Sequence, residues 1–329
     1  MPFVSTPTPP VDCLRGTLTA EDCLRERVRS VRLSGPAVLA VSGGADSMVM
    51  ATLLHAAQPE DVRAVATFDH GTGPFATEAS ALVVSWARER GLPVRSGIAT
   101  DLVPREAAWR AARWTFLRNV EREFGAPVAT AHTEDDQMET VFMRLLRGSG
   151  VRGLAGLLAP GPVLRPLLHV GRDAVRAHAT AAGIRYRDDP SNDALRHLRN
   201  RVRLELLPTL ERYEPGFRAW LLALGETAAS WRRDVGRAVD EHWAPVVQVG
   251  GESVQVPRTR TRLPDADEAA LFWPEVAGRA GIALDWRGTA RIAVFTTKRK
   301  TGLSMPLSGG ARVRSTRDGW TIERARADR

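Results

Sequence analysis

Cysteine is almost missing from this 329-residue chain, with Cys13 and Cys23 the only two. Their spacing fits neither a zinc knuckle nor a Cys-x-x-Cys redox pair, which leaves reduced thiols in a cytoplasmic protein as the expectation. Lysine is as rare: Lys298 and Lys300 are the only lysines among 46 basic residues, so the positive charge is carried by arginine and arginine counts alone prove little. No uninterrupted apolar stretch approaches a membrane span. The start, MPFVSTPTPPVDC, lacks a basic region followed by an apolar block, so no membrane partner or targeting segment is expected. Internal repeats and low-complexity blocks are also missing. What stands in excess is positive charge, a net +8 with pI near 10.6, which suggests a polyanionic partner because each neutralised phosphate releases a counterion. With 43% hydrophobic residues, the chain is long enough for two domains with buried cores.

The densest information lies in VLAVSGGADS, Val38 to Ser47. An apolar run ending in glycines and hydroxyls describes a buried strand that delivers a phosphate cradle. Gly43 and Gly44 let the backbone turn around an oxyanion, and the first amides of the following helix, with the hydroxyls of Ser42 and Ser47, face it. No lysine follows the glycines and the third glycine of a dinucleotide fingerprint is missing, so neither of those nucleotide motifs applies. The loop resembles the PP-loop, SGGxDS, of ATP pyrophosphatases, which implies ATP as ligand of Ser42, Gly43, Gly44, Ala45, Asp46 and Ser47. Asp46 would repel phosphates unless a cation intervenes, so it serves either as a Mg²⁺ ligand or as a helix cap.

Strands and helices alternate after this loop. Val62 to Phe68, Val94 to Ile98, Val128 to Ala131 and Val163 to Leu168 read as further strands, with helices between them closed by Gly91 and Gly125. The fold class is therefore α/β, a doubly wound and mostly parallel sheet whose ligands sit beyond the carboxyl ends of its strands. A loose tail covers 1–25, the nucleotide domain 26–211, and a smaller, mainly helical domain ending in a β-hairpin 212–329. In that last part Trp220 and Trp231 read as core residues of one long helix from Phe217.

Chemistry-bearing residues gather at the strand ends. Asp69 and His70 follow the second strand and His132 the fourth. Asp135, Asp136 and Glu139 then open a helix; Asp135 is as readily explained by the helix dipole, whereas Asp136 and Glu139 share a face with Thr140 and could hold a metal or an ammonium group. Arg147 and Arg152 lie in a glycine-rich stretch to Gly156 suited to close over substrate. Arg199 and Arg203 share a face of a helix that starts near Ala194, after the turn at Asp189-Pro190-Ser191-Asn192, as do Arg196, Asn200 and Arg203; phosphate contacts would suit them.

Together with Glu106-Ala-Ala-Trp-Arg110-Ala-Ala-Arg113-Trp114, Arg165-Pro-Leu-Leu168 and Arg199-Asn200-Arg201-Val202-Arg203, these motifs resemble the bacterial tRNA(Ile)-lysidine synthetases from about Ala37 to Pro208; beyond Arg212 the match is weak. The resemblance implies adenylation of C2 of the wobble cytidine in the CAU anticodon of tRNA(Ile), release of pyrophosphate, and attack by the ε-amine of free L-lysine. It further implies Asp136 and Glu139 for lysine or metal, His132 for strand-end geometry, and Arg110, Arg113 and Arg203 for phosphates of ATP or tRNA, with Arg147, Arg152 and Arg199 on the RNA. A homodimer is allowed by this reading. The chain departs from the family pattern at Thr133, where a second His is common, and at Gly71-Thr72-Gly73-Pro74, where Leu-Arg is usual. Two rivals use the same sheet. A PP-loop tRNA 2-thiolation enzyme would need cysteines nearer the site than Cys13 and Cys23, and a non-catalytic ATP- or RNA-binding module would not need Asp136 and Glu139.

Overall fold

The computed structural model describes residues 26–71, 73–99, 106–188, 195, 197–243, 247–250, 253–258, 265–298 and 300–324, with backbone alone for 106, 107 and 243. The expected tail 1–25 with both cysteines, Thr72, the turn at 189–193 and Arg196 lie outside them. The described residues form two compact units, one up to Leu146 together with Gly156–Gly225, the other Arg147–Ala155 together with the residues from Glu226 onward.

In the first unit, strands β1 (Ala37–Ala40), β2 (Val62–Asp69), β3 (Val94–Ile98) and β4 (Val128–Thr130) pair in parallel in the order β3-β2-β1-β4. Helices α1 (Ala45–Ala57), α2 (Pro74–Arg88), α3 (Glu106–Phe124), α4 (Glu134–Leu146) and α5 (Arg172–Ala181) connect and follow them, and α6 (Phe217–Trp243) begins here. The period-two alternation of β1 sorts its side chains into two layers. Ala37 and Leu39 join the core shared with Met48, Val49, Val83 and Val175 of α1, α2 and α5, while Val38 joins Leu117 and Val120 of α3 on the opposite face. The chain steps outward from β1 through β2 to β3, then returns to the other side of β1 for β4. A crevice between the ends of β1 and β4 is the place where such a reversal admits ligands.

Two expectations need correction. Val163 to Leu168 does not form a fifth strand; only Leu164 bridges in parallel to Ala129. Pro166 has no amide to extend a ladder, and the chain turns instead, with the N–H of Leu168 donating to the Arg165 carbonyl and that of Val170 to Leu167. The basic helix expected from near Ala194 starts only at Leu198 among the described residues, as a turn Leu198–Arg201, and widens into a π-helical turn, Val202–Leu206, before Leu207–Tyr213. Pro208 cannot donate to the carbonyl four residues back, which accounts for the wider turn just before it.

The second unit holds the antiparallel sheet β5 (Gln248–Gly250), β6 (Ser253–Pro257), β7 (Leu303–Pro306), β8 (Ala311–Ser315) and β9 (Gly319–Arg324) in the order β5-β6-β9-β8-β7. Helices α7 (Ala266–Arg279) and α8 (Trp286–Thr297) cover it through a core that includes Trp273, Ile292, Val313 and Trp320. The closing hairpin is present as β8 and β9. Of the two tryptophans expected in the core of α6, Trp231 is half-buried but Trp220 is 52% exposed, its ring 5.5 Å from that of Phe217.

Close packing around Gln137 sets the position of α4. This buried amide accepts from the N–H of Leu157 at 2.6 Å, and a Cβ placed at Gly156 or Gly225 would stand 2.5 Å from one of its terminal atoms. Gly225→Ala should therefore destabilise the protein by about 1–3 kcal/mol, as expected of overpacking. Gly278→Ala, at an exposed helical position with nothing within 4 Å of the new methyl, should instead stabilise it by up to about 1 kcal/mol. Urea unfolding of the two variants checks the opposite signs.

Candidate active site

The loop between β1 and α1 is shaped by contacts that leave glycine little substitute. Gly43 has φ +86° and a Cβ there would lie 2.7 Å from the Ala79 carbonyl oxygen of α2. The Gly43 carbonyl accepts from the N–H of Arg187 at 2.9 Å. The Ser47 hydroxyl closes the loop from within, lying 3.1 Å from both the Ser42 amide and the Ser42 hydroxyl and donating to the Gly44 carbonyl at 2.9 Å. Among the described residues no side chain caps the N-terminus of α1. Its first amides and the positive end of its dipole are thus left for an anion.

Asp46, on the first turn of α1, is therefore not the cap; its Oδ1 is buried with no hydrogen-bond partner among the described residues, and its Oδ2 lies 3.6 Å from Nε of Arg172. Burial raises its pKa to about 6, aided by the nearby Asp136 charge and opposed by Arg172. Such a carboxylate suits a cation. Among the described residues no group of three or more His, Cys, Asp and Glu could hold a metal, so a hard cation at Asp46 would take its other ligands from phosphate oxygens and water.

Across the crevice, α4 brings its acids to two arginines. Asp136 Oδ1 accepts from Nη2 of Arg172 at 3.1 Å and from Nη2 of Arg199 at 2.9 Å. Glu139, 1% exposed, accepts from Nη1 of Arg172 at 3.2 Å and from Nε of Arg199 at 2.5 Å. The other oxygen of Asp136 accepts from the amide and hydroxyl of Thr133, which closes the first turn of α4. Burial works to raise the Asp136 pKa, yet the two guanidiniums and the Thr133 amide together hold it below the usual carboxylate range. The same carboxylates keep Arg172 charged against its own burial. Asp135 serves the fold, accepting from the Arg172 amide at 2.7 Å at the start of α5, and from Nη2 of Arg218 at 3.3 Å. Three carboxylates, Asp46, Asp136 and Glu139, thus meet the guanidiniums of Arg172 and Arg199, with Arg176 a further positive neighbour of Asp46.

His132 lies beyond β4 with its Nδ1 2.9 Å from the Thr130 hydroxyl. Burial lowers its pKa to about 4, helped by Arg165, Arg199 and Arg113 and resisted by Asp136. Arg113 and Arg165 are themselves depressed by burial. Asp69 is also used by the fold, accepting from the Gly71 amide and the Thr77 hydroxyl, each at 2.8 Å.

The remaining expected site residues are more dispersed. Arg110 is exposed on α3 and Arg203 is half-buried in the π turn. In the second unit Arg147 is exposed, and Arg152, in the turn Val151–Leu154, is ion-paired with Glu275. Arg172 was not anticipated at all. Buried acids do call for a guanidinium, but a chain this rich in arginine does not single one out.

The family model for the PP-loop domain matches residues 21–210. A tRNA(Ile)-lysidine synthase of Salinispora tropica is 35% identical over 299 residues, covering 85% of this chain and 88% of that protein. The chain belongs to the tRNA(Ile)-lysidine synthase family. A second family member, from Salinispora arenicola, is 33% identical and covers 93% of this chain and 94% of its own length. The synthase of Thermus thermophilus is 34% identical over 91% of this chain, which spans 58% of that longer protein. Among solved structures, the U34-tRNA thiolase NcsA from Methanococcus maripaludis shares the fold, with TM-score 0.53 at 18% identity, covering 64% of this chain and 80% of that one. No helix among the described residues is long and apolar enough to cross a membrane.

His132 makes a testable contribution to stability. The folded ring stays neutral down to about pH 4, whereas the unfolded chain takes up its proton near 6.5. Between those values the unfolded state binds more protons, so this contribution is present above about pH 6.5 and is lost as the pH falls toward 4. The loss should be about 2–3 kcal/mol. Urea unfolding at pH 7 and pH 4.5 should show a smaller pH dependence in His132→Asn than in the unmodified protein.

Proposed function

We propose that the chain ligates free L-lysine to C2 of the wobble cytidine of tRNA(Ile) carrying a CAU anticodon, in the cytoplasm, with ATP consumed to AMP and pyrophosphate. Membership of the synthase family supports the reaction, and the observation that carries the site is the uncapped α1 N-terminus beside the unpartnered, buried Asp46 oxygen. Residues 26–211 would carry catalysis and 212–329 tRNA contact.

The amides of Ala45, Asp46 and Ser47, with the Ser42 hydroxyl, receive the outer phosphates of ATP, while the Ser47 hydroxyl holds the loop from within and Gly43 and Gly44 keep side chains out of the way. Asp46 would hold Mg²⁺, which neutralises the charge gathering on departing pyrophosphate. Once the cytidine O2 carries the adenylyl group, C2 is open to an amine; the lysine nitrogen bonds to C2, its proton departs and AMP leaves with the C2–O2 bond electrons. The gathering of three carboxylates at Asp46, Asp136 and Glu139 supports binding of the lysine ammonium group there. Arg172, with 16% of its side chain exposed, holds the two α4 carboxylates in place. Arg199, at 39%, is the one placed to give way to an arriving ammonium group. A sulfur-delivering alternative has only Cys13 and Cys23 to draw on.

Purified protein given ATP, Mg²⁺, radiolabelled lysine and tRNA(Ile) with the CAU anticodon should transfer label to the RNA and release AMP. Asp46→Ala should retain its fold by circular dichroism and lose at least about a hundredfold in incorporation, the scale of removing one electrostatic stabiliser. Full activity of that variant, or ADP in place of AMP, would refute the assignment.

A further inference from the structure

A peptide between two glycines can turn over at little steric cost, and turning it over exchanges a donor for an acceptor. The Gly43–Gly44 peptide of the loop therefore needs a partner outside the loop to hold it one way. That partner comes from the segment 184–188, after α5, where the N–H of Arg187 donates to the Gly43 carbonyl at 2.9 Å. The carbonyl oxygen and amide hydrogen of a trans peptide point in opposite directions. A Gly43 carbonyl directed at Arg187 thus turns the Gly44 N–H away from it, and no acceptor among the described residues takes that hydrogen. Gly44 is the residue immediately before α1, so its N–H joins those of the first helical turn. The segment that holds this peptide is itself anchored. Gly183, with φ +61°, ends α5, and the N–H of Ile184 donates to the Ala179 carbonyl at 2.9 Å. Half-buried Ile184 and Tyr186 then pack on the core shared with Met48 and Val49 of α1, while Arg185 and Arg187, alternating with them, are exposed. Arg187 lies 3.5 Å from Glu78 and Asp188 lies 3.1 Å from Arg176, but ion pairs this exposed contribute little. Ile184 and Tyr186 are what keep the Arg187 amide in place.

We propose that Arg187 is a positioning residue for ATP and that it acts through its backbone. By fixing the Gly43–Gly44 peptide, its N–H aims the Gly44 N–H at the outer phosphates, a donor additional to the amides of Ala45, Asp46 and Ser47. Arg187 itself does not touch the nucleotide. Without its hydrogen bond the peptide is free to turn over and present the Gly43 carbonyl to the phosphates, which replaces attraction by repulsion. The guanidinium takes no part, so the position accepts any side chain and excludes only proline, which has no N–H to give. A role of this kind leaves no mark on residue type.

This inference rests on the loop being an ATP site, but its test does not require lysine transfer. Binding of ATP with Mg²⁺, of inorganic pyrophosphate and of AMP is measured by calorimetry, without RNA or lysine, for Arg187→Ala and Arg187→Pro. A third protein carries lactic acid in place of residue 187, introduced by nonsense suppression. Lactic acid differs from alanine only in the oxygen that replaces the N–H, so Arg187→Ala is the reference and the lactic-acid protein keeps the test decisive where proline disturbs the fold. Both proteins that lack the N–H should bind ATP and pyrophosphate about tenfold more weakly than the reference, the scale of a hydrogen bond to a charged group, and should bind AMP equally well. A parallel loss of AMP affinity would mark a general disturbance of the fold and overturn the proposal. So would ATP affinity equal to the reference, or a full loss already present in Arg187→Ala, which would assign the effect to the guanidinium. An unmodified protein that binds no ATP would remove the loop assignment itself. The expected losses in a protein that incorporates no lysine would leave the role of Arg187 standing and remove the proposed reaction.

Discussion

Two arginines set against three carboxylates are the constraint on which this site is built. Glu139 is almost wholly buried, and an ionised carboxylate at that depth is tolerable only with charged, hydrogen-bonded partners. Arg172 meets the need from α5, Arg199 from the turn before the π helix, and Thr133 secures Asp136 from within its own helix. Because the Arg172 amide is held by Asp135 while its guanidinium grips Asp136 and Glu139, one residue locks backbone and side chain to the same helix. Three segments distant in sequence are thereby drawn to the end of β4.

Around that lock the charges are sorted across the mouth of the sheet. On the β1 side stand the N-terminus of α1 and Asp46, one oxygen of which faces Arg172 while the other has no hydrogen bond among the described residues; beyond β4 stands His132. Its imidazole is kept uncharged by burial and by the nearby arginines, against the pull of Asp136.

Much of this was legible in the chain itself. Short apolar runs separated by amphipathic helices gave away the parallel sheet, and the PP-loop was recognisable because glycines, hydroxyls and a following helix serve one purpose. Asp136 and Glu139 followed from helical spacing. Local patterns could not tell that these acids are met by Arg172, thirty-odd residues away, because partner choice is a tertiary matter and arginine is everywhere. The supposed fifth strand failed for a nearer reason: its apolar content was right, but Pro166 breaks the ladder. Trp220 shows the opposite error, a large ring assigned to the interior by its position in a stripe when that side of α6 is open.

The Gln137 amide, wedged between Gly156 and Gly225, makes three positions interdependent. A side chain gained at either glycine would have to be answered by a shorter residue at the third position, and that in turn would release the Leu157 amide. Chimeras that exchange α4 between relatives must therefore carry the glutamine and both glycines as a set, or the carboxylates it presents will arrive at the crevice out of register.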